Sequence, residues 1–327
     1  MELLVLNEDE IRAVLKMGKV IELVEIAFRE KGLKRVQMPP KVYLFFNKYQ
    51  GDLRAMPAYF ELLDIAGVKL VNSHPLNPSL YGLPTVMAVI LLFEPKTGRP
   101  LCIMNGTMIT GMRTAAAAAV ATKYLARSNA EVLGIIGAGY LARFHLLALP
   151  YVMNVKKVFV YDIVRSKAEA LAKEFEEKID IKIHVVDNPR NAVEPVDVLA
   201  TLTPARAPVV KNEWVREGLH INAMGADAPG KQELDPEILK RAKIVVDDIE
   251  QASHSGEINV PLSQGLITLN DVYAELGEIV AGIKKGRESA QEITIFDSTG
   301  LAIQDVIVAH YVYTQAIEQG MGLKIQI

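Results

Sequence analysis

A glycine-rich turn between an apolar run and a helix pattern constrains the fold of this chain more than any other sequence feature. Residues 132–142 read VLGIIGAGYLA, which is a G-x-G-x-x-A pattern. In such a turn Gly137 permits the tight bend, Gly139 lets the backbone approach a pyrophosphate, and Ala142 permits close packing of helix on strand. The helix that follows points unpaired N–H groups at the phosphates. The sequence therefore predicts a dinucleotide-binding site.

Asp162 strengthens this interpretation, because it ends the next predicted strand, 23 residues after Gly139. A carboxylate there can accept hydrogen bonds from the adenosine ribose hydroxyls and repels a 2′-phosphate, which favours NAD. Arg165 leaves NADP open as an alternative, since its guanidinium could meet that phosphate. The other interpretation of Asp162 is that it only caps the following helix.

Strand and helix patterns alternate from residue 131 onward. The predicted strands are 132–136, 157–161, 181–186, 196–201, 220–223, 244–246 and 293–296. This alternation is typical of a Rossmann-type doubly wound parallel sheet. Residues 36–105 instead alternate short β-type runs with turn clusters, which predicts a mostly antiparallel sheet. The predicted class is α/β, with the Rossmann-type sheet joined to a smaller α+β domain.

The predicted domains are not simple halves of the chain. An Ala-rich helix over 107–127 leads from the first part to the second, and a final helix over 302–320 is expected to return to the first part. We therefore predict a discontinuous domain of residues 1–118 and 303–327, and a nucleotide-binding domain of residues 119–302.

Composition excludes several classes of function. The 36 basic and 39 acidic residues nearly balance, which argues against a nucleic-acid partner. The longest apolar run, 86–93, is too short to span a bilayer, and the N-terminus lacks the pattern of a secretory signal. The single cysteine, Cys102, excludes an intramolecular disulfide and a cysteine-based zinc site, and the histidines lack metal-ligand spacing. We expect a cytoplasmic protein without a metal or membrane partner.

Four cations in the first third of the chain are candidates for binding a carboxylate. Lys69 lies in the apolar run 67–71; buried there, its pKa would fall toward the range useful for proton transfer, whereas on an edge strand it would face solvent. Arg113 lies near the start of the Ala-rich helix, where a cation opposes the helix dipole, so we expect it to face an anion. Lys41 and Arg54 complete the set. Surface positions are the alternative for both arginines and for Lys41.

Polar residues also follow two late strands of the predicted parallel sheet. Ligands bind beyond the carboxyl ends of such strands, which makes Asp227 a candidate for holding an amine or moving a proton. The alternative is a turn-forming aspartate. Ser298 and Thr299 could bond a nicotinamide amide or simply cap a helix. His74, in a turn before a proline, is more typical of a structural histidine.

Several separated motifs together resemble the ornithine cyclodeaminase/mu-crystallin family over nearly the whole chain, and most closely its archaeal alanine dehydrogenase branch. The motifs are Gln37–Lys41, Arg54–Pro57, Lys69–Pro75, Gly82–Thr85, Thr110–Thr114, Gly137–Gly139, Gly225–Asp227 and Asp297–Gly300.

This resemblance implies a homodimer whose discontinuous domain binds substrate and forms the dimer contact. It implies hydride exchange between a nicotinamide and the α-carbon of a small amino or imino acid. Lys69 and Asp227 would be the catalytic acid/base groups. The substrate carboxylate would meet Lys41, Arg54, Lys69 and Arg113. Besides Gly137, Gly139 and Arg165, the cofactor would meet Thr85, Arg113, Tyr140, Leu141, Asp162, Thr203, Gly225, Lys231 and Ser298.

One departure bears on the substrate. Family members that act on ornithine carry Glu where this chain has Arg54, and a cation there would repel the distal ammonium of ornithine. The sequence therefore predicts an alanine dehydrogenase. Alternatives are a reductase of Δ1-pyrroline-2-carboxylate, an ornithine cyclodeaminase, and a non-catalytic ligand-binding protein like mu-crystallin.

Overall fold

The computed structural model describes residues 1–176, 178 and 181–327. The chain divides into two compact units, here called unit 1 (Met1–Arg113 and Leu301–Ile327) and unit 2 (Thr114–Gly300). These divisions fall at residues 113 and 300, where the sequence predicts 118 and 302. The roles expected for the two domains stay predictions.

The elements are numbered along the chain. Strands of unit 1 are β1 (Glu2–Leu6), β2 (Val36–Gln37), β3 (Val42–Phe46), β4 (Gly51–Phe60), β5 (Ile65–Ser73), β6 (Val86–Phe93), β7 (Pro100–Asn105) and β18 (Leu323–Gln326). Strands of unit 2 are β8 (Val132–Ile136), β9 (Lys157–Tyr161), β10 (Lys182–Val185), β11 (Val198–Thr201), β12 (Arg206–Val210), β13 (His220–Ala223), β14 (Gln232–Leu234), β15 (Ala242–Val246), β16 (Val272–Glu275) and β17 (Ile293–Asp297). The helices are α1 (Glu8–Val14), α2 (Met17–Gly32), α3 (Asn77–Leu80), α4 (Thr107–Leu125), α5 (Tyr140–Ala148), α6 (Arg165–Glu176), α7 (Arg190–Val193), α8 (Pro236–Leu239), α9 (Ile249–Ser255), α10 (Asn259–Ser263), α11 (Leu276–Val280) and α12 (Ala302–Gln319).

The sheet of unit 1 has the strand order β18-β1-β7-β6-β5-β4-β2, with β3 also paired to β4. Its pairs are antiparallel except for β1 with β7, which confirms the mostly antiparallel prediction. The β-type runs that the sequence indicates in this part of the chain are 41–46, 67–71, 85–93 and 100–104. Strand β4 is missing from them because Gly51 and Pro57 are poor strand residues. Pro57 is tolerated because β3 pairs with 51–55 and β2 with 59–60, so that neither strand lies opposite the proline.

Strand β5 presents one fully buried face. Its residues Ile65, Gly67, Lys69 and Val71 are buried and alternate with partly exposed neighbours. Helix α12 packs against β4, β5 and β6. A side chain at Gly67 would come within about 3.0 Å of Val306, so the glycine permits the close approach of the helix. Lys69 therefore faces a helix from the middle of a sheet, and the solvent-facing alternative is wrong.

The sheet of unit 2 is parallel, with the order β10-β9-β8-β11-β13-β17-β15-β16. The chain runs outward from β8 through β9 and β10, then resumes on the other side of β8 with β11. This reversal creates a crevice at the carboxyl ends of β8 and β11 and confirms the Rossmann-type prediction. The short strand β16 and the parallel pair of β12 with β14 are additions to the predicted strands.

None of the described helices is both long and apolar enough to cross a membrane. Within the described ranges, no group of three or more His, Cys, Asp or Glu side chains could hold a metal ion. Cys102 is buried and carries a free thiol, whose pKa burial raises to about 12.

Candidate active site

A buried carboxylate joins two buried cations in unit 1. The Nζ atom of Lys69 lies 2.7 Å from Oδ2 of Asp305, and Nε of Arg113 donates to Oδ1 of Asp305 at 2.9 Å. Lys69 is 1% exposed and Asp305 is fully buried. Asp305 lies in the first turn of α12, on the helix that covers β5. We call Lys69, Arg113 and Asp305 the ion triad.

Burial in the ion triad changes the acidity of Lys69. The pKa of Lys69 falls to about 7, chiefly because burial disfavours the ammonium, and secondly because the charges of Arg113 and Lys41 repel it. The carboxylate of Asp305 opposes this shift. A lysine with a pKa near neutrality can both accept and donate a proton under ordinary conditions, as a general acid/base must.

Arg113 faces an anion as predicted, but for a different reason from the one expected. It is the seventh residue of α4, beyond the first turn, where the helix dipole has little effect. Its partners are the carboxylate of Asp305 and the side-chain oxygen of Gln304, which accepts from the guanidinium at 3.3 Å. The Nε2 atom of Gln304 is buried and meets no acceptor among the described residues. A buried donor of this kind favours a polar ligand nearby.

Arg54 is also buried, so its surface alternative is wrong. Its guanidinium donates to both oxygens of Asp52, from Nε at 3.0 Å and from a terminal nitrogen at 2.9 Å, and lies 5.5 Å from the ring centre of Tyr43. On β4, Arg54 shares the buried face with Met56, which lies directly opposite Lys69 on β5. Arg54 and Lys69 are thus neighbours on one face. Lys41 is half-buried.

His74 directly follows β5, and Thr85 directly precedes β6. The backbone N–H of His74 donates to the carbonyl of Thr85 at 2.8 Å. The ring of His74 lies beside the Asn72 amide at 3.0 Å, and a side chain at Gly51 would collide with it. These contacts agree with the structural interpretation of His74.

The two glycines of the turn after β8 differ in what the protein itself requires. Gly137 has φ of +100°, and a side chain there would lie 2.9 Å from the carbonyl oxygen of Leu202, so the fold needs glycine. Gly139 has φ of −79°, and a side chain there would meet no protein atom within 4 Å. The helix that starts at Tyr140 has no side-chain cap. Glycine at 139 therefore leaves space for a ligand at an uncapped helix N-terminus, as a pyrophosphate requires.

Asp162 has a local structural role and keeps the capacity to bind a ribose. One of its oxygens accepts from the N–H of Ala138 at 2.8 Å and the other from the N–H of Val164 at 2.8 Å. These bonds tie the glycine turn to the end of β9. Each carboxylate oxygen can accept two hydrogen bonds, so this arrangement leaves capacity for ribose hydroxyls. Arg165 pairs with Glu169 at 2.7 Å and with Asp187.

The remaining candidates follow strands of the parallel sheet. Asp227 pairs with Lys231 at 2.5 Å in the loop after β13, and both side chains are partly exposed, Asp227 by 35%. The buried carboxylate of Glu233 accepts hydrogen bonds from the backbone N–H and the hydroxyl of Thr203 and from the backbone N–H of Gly225. After β17, the hydroxyl of Ser298 donates to Asp247 at 3.3 Å. The helix-cap alternative for Ser298 is wrong, because Leu301 is the first flanking residue of α12.

The structure brings together Lys69, Arg113 and Arg54 within unit 1, and the glycine turn with Asp162 within unit 2. The sequence reasoning missed Asp305, Gln304, Glu233 and Asp247. The one available signal is the pair Gln304-Asp305, which interrupts an otherwise apolar run from Leu301 to Ala309. Buried polar residues in such a run require partners.

Known proteins match the chain along its length. The model of the family described as the ornithine cyclodeaminase/mu-crystallin family matches residues 1–320. A curated relative, the alanine dehydrogenase of Archaeoglobus fulgidus, is 55% identical over 326 residues, which cover 100% of this chain and 99% of the relative. An archaeal structure described as an alanine dehydrogenase dimer with bound NAD has a TM-score of 0.96 and 53% identity, with full coverage of both chains. The Δ1-pyrroline-2-carboxylate reductase of Thermococcus litoralis, solved with NADH and L-proline, has a TM-score of 0.96 and 44% identity, with 98% of this chain and 100% of that chain covered.

Proposed function

Because the chain belongs to the ornithine cyclodeaminase/mu-crystallin family, we propose that it is an NAD-dependent oxidoreductase of small L-amino acids, and specifically an alanine dehydrogenase. In the oxidative direction L-alanine, NAD and water give pyruvate, ammonium, NADH and a proton, and the reaction is reversible.

The residues of unit 2 fit a nicotinamide dinucleotide. The space beside Gly139 and the uncapped N-terminus of α5 suit the pyrophosphate. Asp162 would accept from the ribose hydroxyls, and the acidic partners of Arg165 oppose a second phosphate there. Bound NAD supplies the acceptor for the hydride that leaves the substrate α-carbon. Tyr140, Leu141, Thr203, Gly225, Lys231 and Ser298 are proposed to line this site.

The cations of unit 1 fit the carboxylate of an amino acid. Asp305 is the anion of the ion triad and pairs with both Lys69 and Arg113, so the ion triad carries one net positive charge when Lys69 is protonated. A substrate carboxylate would compensate that charge, and Lys41 and Arg54 add to the attraction. The buried Nε2 of Gln304 offers a further donor.

Lys69 is proposed to move the proton on nitrogen. Its neutral amine would accept a proton from the substrate ammonium, leaving the amine from which a hydride can depart. Its low pKa makes the neutral form available near pH 7. Asp227, which pairs with Lys231, is proposed to transfer protons when water adds to the imine.

The environment of Arg54 favours alanine over a diamino acid as the substrate. Arg54 is 7% exposed, and Asp52 accepts two hydrogen bonds from its guanidinium. A distal ammonium of ornithine brought to this position would meet a fixed cation in a poorly solvated place, which costs binding free energy. Alanine carries no such ammonium.

A second candidate is reduction of Δ1-pyrroline-2-carboxylate, favoured by the likeness to the Thermococcus litoralis reductase. The ion triad could bind the carboxylate in this reaction as well, since both reactions involve an α-imino acid that carries a carboxylate.

We also propose a homodimer. The face of the unit 1 sheet that points away from α12 is apolar and partly exposed, and includes Val68, Leu70, Val89, Leu91 and Ile103. A large exposed apolar patch is typical of a protein–protein interface. Light scattering on the purified protein is expected to give twice the chain mass of 36.0 kDa.

A substrate panel tests the proposal. NADH oxidation would be compared with pyruvate plus ammonium, with Δ1-pyrroline-2-carboxylate, and with neither. The same protein would be assayed for ammonium release from ornithine without net NADH formation. We expect the highest kcat/KM with pyruvate plus ammonium and no reaction with ornithine. A higher kcat/KM with the cyclic imine would establish the second candidate. NADH binding without turnover of any substrate would indicate a non-catalytic binding protein.

A further inference from the structure

Glu233 is a buried carboxylate that accepts four hydrogen bonds from two neighbouring strand ends. Its Oε1 accepts from the N–H and the hydroxyl of Thr203, each at 2.7 Å. Its Oε2 accepts from the hydroxyl of Thr201 at 2.8 Å and from the N–H of Gly225 at 2.9 Å. An ionised carboxylate has about four acceptor positions, so these donors use its full capacity.

The strand ends that Glu233 joins are β11 and β13, which are adjacent in the parallel sheet. Thr203 follows β11, and Gly225 follows β13 and leads to Asp227. A side chain at Gly225 would lie 2.5 Å from Oε2 of Glu233 and would collide with the carbonyl of Thr203. The two loops and the carboxylate are therefore packed without spare room.

Glu233 is itself held by a second buried carboxylate. Glu257 accepts from the backbone N–H of Glu233 at 3.0 Å and from that of Leu234 at 2.7 Å. Asp297, at the end of β17, accepts in turn from the N–H of Ile258 at 3.2 Å. Asp297 thus binds the backbone next to Glu257, and Glu257 binds the backbone of Glu233. These bonds fix the position of the backbone from which the Glu233 side chain extends.

We propose that Glu233 is a positioning residue for the nicotinamide cofactor, which sets the distance between the loops that follow β11 and β13. This inference rests on the proposed function, since Thr203 and Gly225 are proposed to meet that cofactor. Glu233 acts through these two residues. Its two oxygens accept from the backbone N–H groups of both loops.

Glu233→Gln is a sharp test, because it keeps the shape and removes one acceptor oxygen. In either orientation of the glutamine amide, its nitrogen faces a backbone N–H, that of Thr203 or that of Gly225. We expect the Kd for NADH, measured by fluorescence titration without substrate, to rise at least tenfold. In turnover, the KM for NADH should rise by a similar factor, while the KM for the imino-acid substrate stays within twofold.

Asp197→Asn is the matched control. Asp197 lies at the other end of β11, where its carboxylate accepts from the N–H groups of Glu131 and Val132 and pairs with Arg127 and Arg216. The control should lower the melting temperature without changing the Kd for NADH, since it loosens the sheet away from the loops.

The outcomes are separable. Wild-type protein that does not bind NADH would overturn the proposed function. Wild-type binding together with an unchanged Kd in Glu233→Gln would overturn the positioning role, as would an equal loss of NADH affinity in Asp197→Asn. Should Glu233→Gln fail to fold, Thr201→Val removes only one of the four donors. It should raise the Kd about threefold, and an unchanged Kd in that variant would contradict the proposal.

Discussion

Lys69 and Asp305 form a buried ion pair, in which Nζ lies 2.7 Å from Oδ2. The other oxygen of Asp305 is taken by Arg113, so the carboxylate is shared between two cations. When Lys69 is neutral, the negative charge of Asp305 and the positive charge of Arg113 cancel. When Lys69 is protonated, an anion from outside the ion triad is needed. Binding of a substrate carboxylate and protonation of Lys69 are therefore expected to favour one another.

Asp305→Asn should change the pH dependence of the reaction. Asp305 raises the pKa of Lys69, against burial and the charges of Arg113 and Lys41, which lower it to about 7. Removing the negative charge should lower that pKa further, so the neutral amine persists to lower pH. In the oxidative direction, the acidic limb of kcat against pH should move from near pH 7 to lower pH. An acidic limb at the same or a higher pH would contradict the pairing.

Arg54→Lys should weaken substrate binding while retaining the positive charge. A lysine cannot reproduce the two-point contact with Asp52, so the cation is less firmly oriented. We expect the KM for alanine at saturating NAD to rise about tenfold, equivalent to about 1.4 kcal/mol. Arg12→Lys, in an exposed pair with Glu8, is the control and should leave KM unchanged. Equal KM values in both variants would argue against a role for Arg54.

Gly139→Ala should separate cofactor binding from folding. The new methyl group meets no protein atom within 4 Å, and φ of −79° suits alanine, so the melting temperature should not fall. The methyl group would occupy the proposed pyrophosphate space, and the Kd for NADH should rise at least tenfold. Gly137→Ala, at φ of +100°, should instead lower the melting temperature. Tight NADH binding by Gly139→Ala would place the pyrophosphate elsewhere.

Asp297→Asn should reduce the pH dependence of stability. Burial, together with the charges of Asp247 and Glu233, raises the pKa of Asp297 to about 8. The unfolded chain releases this proton near pH ~3.9, so the group stabilises the fold fully below that pH and loses this contribution as pH rises toward 8. Urea midpoints at pH 5 and pH 8 should therefore differ less in the variant than in the wild type. An equal difference in both proteins would show that Asp297 titrates normally.

Local sequence patterns predict much of this molecule. The glycine turn and Asp162 lie within one strand-helix-strand unit, so their spacing alone indicates how they fold together. The buried face of β5 did not follow from the sequence, because the run 65–71 is apolar on both faces apart from Lys69, and alternation alone does not indicate which face a helix covers. Strand β4 was not predicted because Gly51 and Pro57 resemble a loop. Its formation depends on distant strands: Val68 of β5 lies opposite Pro57 on one side, and β2 and β3 leave the proline unpaired on the other side.

The buried carboxylates could not be predicted in this way. Asp305 meets Arg113 across 192 positions of sequence, and Glu233 meets Thr203 across 30. Each is stable inside the protein only because its partners are present, and a single sequence does not state which distant segments pack together.

The kinetics of Lys69→Met test the central claim most directly. The variant removes the ammonium and keeps an unbranched apolar side chain, so the proposed acid/base group is lost. NADH formation from L-alanine would be measured beside the Kd for NADH. We predict that kcat falls by about 10²- to 10⁴-fold, while the Kd for NADH stays within twofold. A variant that turns over alanine at the wild-type rate would contradict the assignment of Lys69 as the group that moves the proton.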